Sequence, residues 1–148
     1  MQTLKVGIVG AGFVANFHTR AIRQVRSMEI AGITALKGAE ALSATVQKHG
    51  LGAGTVYPNV AEMAKHVDAI AVYIPNFARV ETVEQIVDAV KKGANLKGVI
   101  CEKPLGRNVK EARRLVELAD EVGLKTAYFE NQIFMKPIQA QLQQLAPL

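Results

Sequence analysis

One short stretch near the N-terminus constrains the fold more than anything else in the chain. The apolar run Leu4-Lys5-Val6-Gly7-Ile8-Val9 leads directly into Gly10-Ala11-Gly12-Phe13-Val14-Ala15. Apolar residues then recur at Val14, Phe17, Ala21, Ile22 and Val25, in the steps of three and four that mark an amphipathic helix. In a strand, glycine turn and helix, each small residue has a physical task. Gly10 permits the tight turn, Gly12 has no side chain to hold a phosphate off the backbone, and Ala15 lets the helix lie close to the strand. The helix N-terminus adds unpaired N–H groups and a partial positive charge. A Gly-x-Gly-x-x-Ala pattern alone is weak, because it also serves as a plain connection and in methyltransferase and CoA-binding folds. The strand before it and the helix after it favour the pyrophosphate of a dinucleotide.

The same alternation continues along the chain. Residues 29–34 read as a second strand, and Ala41, Leu42, Thr45 and Val46 mark a second helix stopped at Gly50. Residues 55–57 form a short third strand, and Asn59 with Glu62 has capping-box spacing for a brief helix. Residues 68–74 are the most apolar run and the expected central strand, ended by Pro75 and Asn76. Val80, Val83, Ile86, Val87 and Val90 form a helical stripe closed by Gly93. Residues 99–101 end a fifth strand. Asn108 and Glu111 cap a helix carrying Ala112, Leu115, Val116, Ala119 and Val122, which Gly123 terminates, and residues 125–129 form a sixth strand. Alternating strands and helices imply βαβ units, a parallel sheet and right-handed crossovers that put helices on both faces. The expected fold is therefore α/β: a Rossmann-type, doubly wound parallel sheet. Residues 1–130 form the dinucleotide-binding domain, and residues 131–148, with Pro137 and a Gln-rich amphipathic stretch, begin a linker or helix toward a further domain.

Composition agrees and excludes other classes. The chain has 148 residues, about one domain, and 49% are hydrophobic, enough for a core without metal or disulfide staples. The net charge is +5, but Lys91, Lys92, Arg113 and Arg114 are interspersed with Glu81, Glu84, Glu111 and Glu117. That pattern describes solvated helix faces, so no nucleic-acid partner is expected, and a mild positive bias suits a phosphate-bearing ligand. Cys101 is the only cysteine, which fits a reducing compartment. No signal-peptide pattern is present, nor any run of the roughly 18 apolar residues a membrane span needs, so a cytoplasmic location without a membrane partner is expected.

The dinucleotide fingerprint ordinarily places an acidic residue at the end of the second strand, on the ribose hydroxyls. Here that strand ends in Thr34-Ala35-Leu36-Lys37. Glu29 is at the wrong end of the strand and Glu40 belongs to the next helix. Lys37 can meet a 2′-phosphate, with Thr34 adding a hydroxyl, so a slight preference for NADP over NAD, or tolerance of both, is expected; a solvated loop lysine is the alternative. A second charged group stands at the end of the fifth strand, Glu102-Lys103-Pro104. Ligands of a doubly wound sheet bind at the carboxyl ends of its strands, and Lys103 there can exchange a proton with a substrate oxygen. A surface ion pair in a loop is the alternative.

Three motifs now stand in order: Gly10-Ala11-Gly12-Phe13-Val14-Ala15, Tyr73-Ile74-Pro75-Asn76 and Glu102-Lys103-Pro104. Together they resemble the N-terminal domain of the Gfo/Idh/MocA oxidoreductases, the Glu-Lys-Pro motif being the most specific. The resemblance implies that Gly10, Gly12, Phe13 and Val14 bind pyrophosphate, and that Ile74, Pro75 and Asn76 line the cleft near the nicotinamide ribose. It implies that Glu102 positions the nicotinamide side, that Lys103 is the catalytic lysine, and that Asn131 also faces the cofactor. Substrates would be sugars, cyclitols or related polyols, and the longer protein a homo-oligomer. Two positions depart from the family pattern. Ala35 and Leu36 replace its charged residue after the second strand, and Arg79 replaces a frequent histidine. The second domain that would complete the substrate site is not contained in these residues. This chain alone is therefore expected to be inactive, with apolar exposure around Phe129, Ile133 and Phe134 that favours self-association or partial disorder near the C-terminus.

Other candidates carry less. His18, His49 and His66 are expected on separate helices without partners at ligand spacing, so no metal site is expected. Cys101 follows Val99 and Ile100 and reads as a buried small residue, not a nucleophile. Two further functions stay open beside the oxidoreductase: a non-catalytic dinucleotide-binding module or sensor, and a scaffold without ligand.

Overall fold

The computed structural model describes residues 3–145. Six strands alternate with helices in chain order: β1 Leu4–Val9, α1 Phe13–Ile22, β2 Met28–Thr34, α2 Ala39–Lys48, β3 Thr55–Val56, α3 Val60–Ala64, β4 Ala69–Val72, α4 Arg79–Lys91, β5 Gly98–Glu102, α5 Val109–Glu121, β6 Lys125–Phe129 and α6 Lys136–Leu145. Short 3-10 turns occupy Asn76–Ala78 and Asn131–Phe134. The strands form one parallel sheet in the order β3-β2-β1-β4-β5-β6. The chain winds outward from β1 to one side, returns to β4 beside β1, and winds to the other side. β1 and β4 therefore flank the point where strand order reverses, and β4 is central, as its run of buried apolar residues predicts.

Each face of the sheet has its own core. Ile70, Val72, Val99 and Cys101 pack with Val83, Ile86, Val87, Leu115 and Leu118 under α3, α4 and α5. Val6, Ile8, Ala71 and Tyr73 pack with Ala15, Leu42 and Val46 under α1 and α2. Alternate residues of β4 enter opposite cores, as the period of two in a strand requires.

Local signals place most helix ends. The Asn59 and Asn108 side chains accept the backbone N–H of Glu62 and Glu111 at 2.9 and 3.0 Å, which are the expected N-caps. Gly50, Gly93 and Gly123 follow their helices with positive φ. The face of α1 differs from expectation. Ala15 and Thr19 are buried with Ile22 half-buried, whereas Phe17, Ala21 and Val25 are exposed. The turn at Gly12 aims the small residues at the sheet, and Thr19 is accommodated because its hydroxyl donates to the Ala15 carbonyl at 2.8 Å. In α5, Leu118 is buried and Val116 exposed. His49 lies at the C-cap of α2 and His66 in the turn after α3, so only His18 is within a helix. α6 has no buried residue, Ile133 and Phe134 are exposed as expected, and Phe129 is half-buried. Of the two expected segments, residues 1, 2 and 146–148 lie outside the described residues. Among the described residues no helix is long and apolar enough to cross a membrane.

Candidate functional site

The site is built where β1 meets β4. Gly10 has φ 101°, and a Cβ there would stand 2.7 Å from the Tyr73 carbonyl oxygen. Its N–H donates to Thr34 O at 2.8 Å, which ties the turn to the end of β2. Gly12 is the N-cap of α1, with φ −76° and no side-chain cap. A Cβ at Gly12 would meet no atom within 4 Å. Neither backbone conformation nor packing within the chain therefore requires glycine at this position. The position is open to a group that approaches the backbone closely, and the uncapped amides of α1 suit an anion. Asn16 supports the turn by donating from Nδ2 to the carbonyls of Ala11 at 3.0 Å and Gly12 at 2.9 Å. The sequence gives no signal for that role beyond a polar residue one helical turn inside α1.

A cleft of about 370 Å³ opens at the carboxyl ends of β1, β4 and β5, and three groups of residues line it. Gly12, Phe13 and Val14 come from the glycine turn; Tyr73, Ile74, Pro75, Asn76 and Arg79 follow β4; Glu102, Lys103 and Pro104 follow β5. The three motifs, far apart in sequence, thus share one cleft. Four candidate residues, Gly10, Thr34, Lys37 and Asn131, stand beside it and do not line it. Thr34 is buried at the end of β2. Lys37 is exposed in the next turn, which runs along the other flank of the glycine turn: a Cβ on Gly38 would be 3.6 Å from that of Ala11. Asn131 is exposed and begins the 3-10 turn after β6, two residues beyond Phe129, which pairs in register with Glu102. A wider hollow of about 560 Å³ lies at the opposite, amino-terminal edge of the sheet near Lys5, Glu29 and Asp68. Part of its lining is committed to structure, since Asp68 is paired with Lys97 at 2.6 Å.

Two side chains that sequence reasoning did not place hold the Glu-Lys-Pro turn. The His18 ring stacks on Tyr73, with centroids 4.6 Å apart, and lies against Phe129 at 4.4 Å. Its Nε2 is 3.4 Å from Glu102 Oε1, while Glu102 Oε2 accepts the Lys103 N–H. Both carboxylate oxygens are thereby oriented. Arg79 is buried, and its Nη2 donates to Ile74 O at 3.0 Å and its Nη1 to Leu105 O at 2.9 Å and to Pro104 O. Burial lowers the pKa of Arg79, against the pull of the Glu102 charge. Lys103 itself is exposed at the rim.

Burial also shifts two other groups near the cleft. The Cys101 thiol is pushed up to about 11 by burial, with Arg79 pulling the other way, and so stays protonated and inert at neutral pH. The Tyr73 hydroxyl is pushed up by burial and then by the Glu102 charge. Among the described residues no three His, Cys, Asp or Glu side chains are arranged to hold a metal ion.

A doubly wound sheet with a glycine turn between β1 and α1 and a cleft at its switch point is a Rossmann-type dinucleotide-binding domain. The chain belongs to the Gfo/Idh/MocA oxidoreductase family, whose profile, described as the NAD-binding Rossmann fold, matches residues 4–129. It is similar to inositol 2-dehydrogenase 3 of Saccharopolyspora erythraea, at 32% identity over 78% of this chain and 32% of the relative. It is also similar to glucose-6-phosphate 3-dehydrogenase of Bacillus subtilis, at 28% identity over 88% of this chain and 35% of the relative. Among solved structures, scyllo-inositol dehydrogenase from Lactobacillus casei with bound NAD(H) and scyllo-inositol superposes with TM-score 0.79. It is 21% identical, covers 99% of this chain and 42% of that one, and shares the fold. The chain spans about a third of the length of the curated relatives it matches.

Proposed function

We propose that this cleft holds the nicotinamide dinucleotide of an oxidoreductase acting on a sugar, cyclitol or related polyol, with this chain supplying the cofactor-binding half. Gly12 carries the reading, because the space beside it is where a Cβ would obstruct a pyrophosphate and touches nothing of the protein. The dinucleotide, when bound, accepts or donates hydride. The amides of Gly12, Phe13 and Val14 hold its phosphates, and Gly10 sets the turn that aims them. Ile74, Pro75 and Asn76 form the wall toward the nicotinamide ribose, and Asn131 faces the same edge. Glu102, held by His18, orients the nicotinamide side. Lys103 at the rim exchanges the proton of the reacting oxygen, which requires its Nζ within about 3 Å of that oxygen.

The same reading favours NADP over NAD. No carboxylate stands among residues 34–37 at the end of β2, and Lys37 is exposed beside the glycine turn, with Thr34 anchoring that turn from below. The domain boundary falls at residues 130 and 131, after β6. The exposed Ile133 and Phe134 then face whatever completes the substrate site or a second subunit of a homo-oligomer. Relatives named inositol 2-dehydrogenase 3 and glucose-6-phosphate 3-dehydrogenase support the polyol class. The lone buried thiol fits a cytoplasmic setting. A non-catalytic dinucleotide module is the second reading, favoured by the missing carboxylate at the end of β2. Hydride transfer to NADP and NAD, followed by the absorbance of the reduced nicotinamide with a panel of polyols, tests the pair on the full-length polypeptide. Turnover lost in Lys103→Met supports the enzyme; cofactor binding with no turnover on any polyol supports the module. For Lys37→Ala, an unchanged ratio of NADPH to NADH affinity contradicts the NADP preference.

A further inference from the structure

Arg79 is 2% exposed, and no carboxylate pairs with it among the described residues. An isolated buried cation is costly, and the Arg79 Nε adds to the cost because it has no hydrogen-bond partner among those residues. What holds the guanidinium is main chain from two separate walls of the cleft. Ile74 O belongs to the segment that follows β4, whereas Pro104 O and Leu105 O follow Lys103 directly. One planar fork therefore spans the floor of the cleft and bonds both sides of it. The carbonyls offset the burial of the charge only while the two walls keep their spacing, and guanidinium geometry is rigid.

We propose that Arg79 is a positioning residue. It fixes the distance between the wall formed by residues 74–76 and the Lys103 turn, and so shapes the nicotinamide end of the cleft without touching the cofactor. This rests on the reading of the cleft as a dinucleotide site. A side chain that served general stability alone would affect the pyrophosphate end and the nicotinamide end alike. The two ends can be separated with NADH and ADP-ribose, which share everything but the nicotinamide.

Both ligands are titrated into the whole chain as wild type, Arg79→Met and Arg79→Lys, with thermal midpoints measured alongside. The affinity of ADP-ribose is expected to stay within about twofold in all three. The advantage of NADH over ADP-ribose is expected to fall about tenfold in Arg79→Met, the scale of a lost charge-assisted hydrogen bond. Arg79→Lys, which keeps the charge and reaches one wall but lacks the fork, should fall in between, and carries the test if Arg79→Met does not fold. Parallel loss of both ligands, or no change in either, overturns the proposal. Equal affinity of the wild type for NADH and ADP-ribose overturns it while leaving the cofactor reading intact. A wild type that binds neither ligand overturns the role of Arg79, and if NADPH does not bind either, the cofactor reading falls with it.

Discussion

Gly10 and Gly12 stand two residues apart and are glycine for different reasons. Gly10 is required by the chain itself, through its φ of 101° and the 2.7 Å separation its Cβ would have from Tyr73 O. Gly10→Ala is accordingly expected to lose about 2 kcal/mol of stability, read as a lower urea midpoint. An unchanged midpoint would show that the turn relaxes freely. Gly12 is required by no contact of the chain, and on the proposed reading its substitution acts on ligand binding. Cys101 gives a third residue-scale expectation. With its thiol pushed up to about 11 by burial, it should resist iodoacetamide at pH 8 in the folded chain and react once urea unfolds it. The glycine turn was legible because its chemistry is local to six residues. His18 and Arg79 were not, because their partners lie 84 and 25 residues away and only the strand order brings them together. A lone histidine or arginine in a helical pattern has no sequence signature of such a partner.

At the scale of elements, capping was readable and helix orientation was not. Asn59 and Asn108 fulfil the capping signal because donor and acceptor are three residues apart. Asn108→Ala should cost about 1 kcal/mol in denaturant unfolding, and no measurable loss would remove the cap from the account of α5. The stripe read for α1 counted large apolar residues, but the sheet selected the small ones, Ala15 and Thr19, since close approach beside the turn leaves no room for Phe17. Asp68 links three strands at their amino ends. Its Oδ2 accepts the Lys5 N–H at 2.9 Å and its Oδ1 pairs with Lys97 Nζ at 2.6 Å. The Lys97 hydrogen bond, then that of Lys5, lowers its pKa below 3.8. A carboxylate lowered in the folded state contributes stability above its unfolded pKa, which is lost as pH falls through the folded value. Asp68→Asn should therefore be less stable than wild type at pH 7, with the gap closing as pH drops below about 4, in urea titrations run at both pH values. A gap independent of pH would assign the effect to packing instead.

For the whole molecule, alternation of strand and helix patterns is enough to imply a parallel doubly wound sheet, because right-handed crossovers leave few other arrangements. It also placed the most apolar run at the centre, where β4 lies beside β1. The cleft itself follows from that order, since only the reversal between β1 and β4 leaves the turn at Gly12 and the turn at Lys103 facing a common space. What the chain's pattern does not encode is the cover of its last elements. β6 and α6 are largely exposed, with Phe134 76% exposed, and their periodicity does not say what, if anything, lies against that face. The central claim, that the glycine turn receives a dinucleotide, is tested most directly by calorimetric titration of NADPH and NADH into the wild type and Gly12→Val. The account predicts binding by the wild type and at least about a tenfold loss in the variant, with unfolding free energies that agree within about 1 kcal/mol. Equal affinities in the two proteins, or no binding by the wild type, would contradict it.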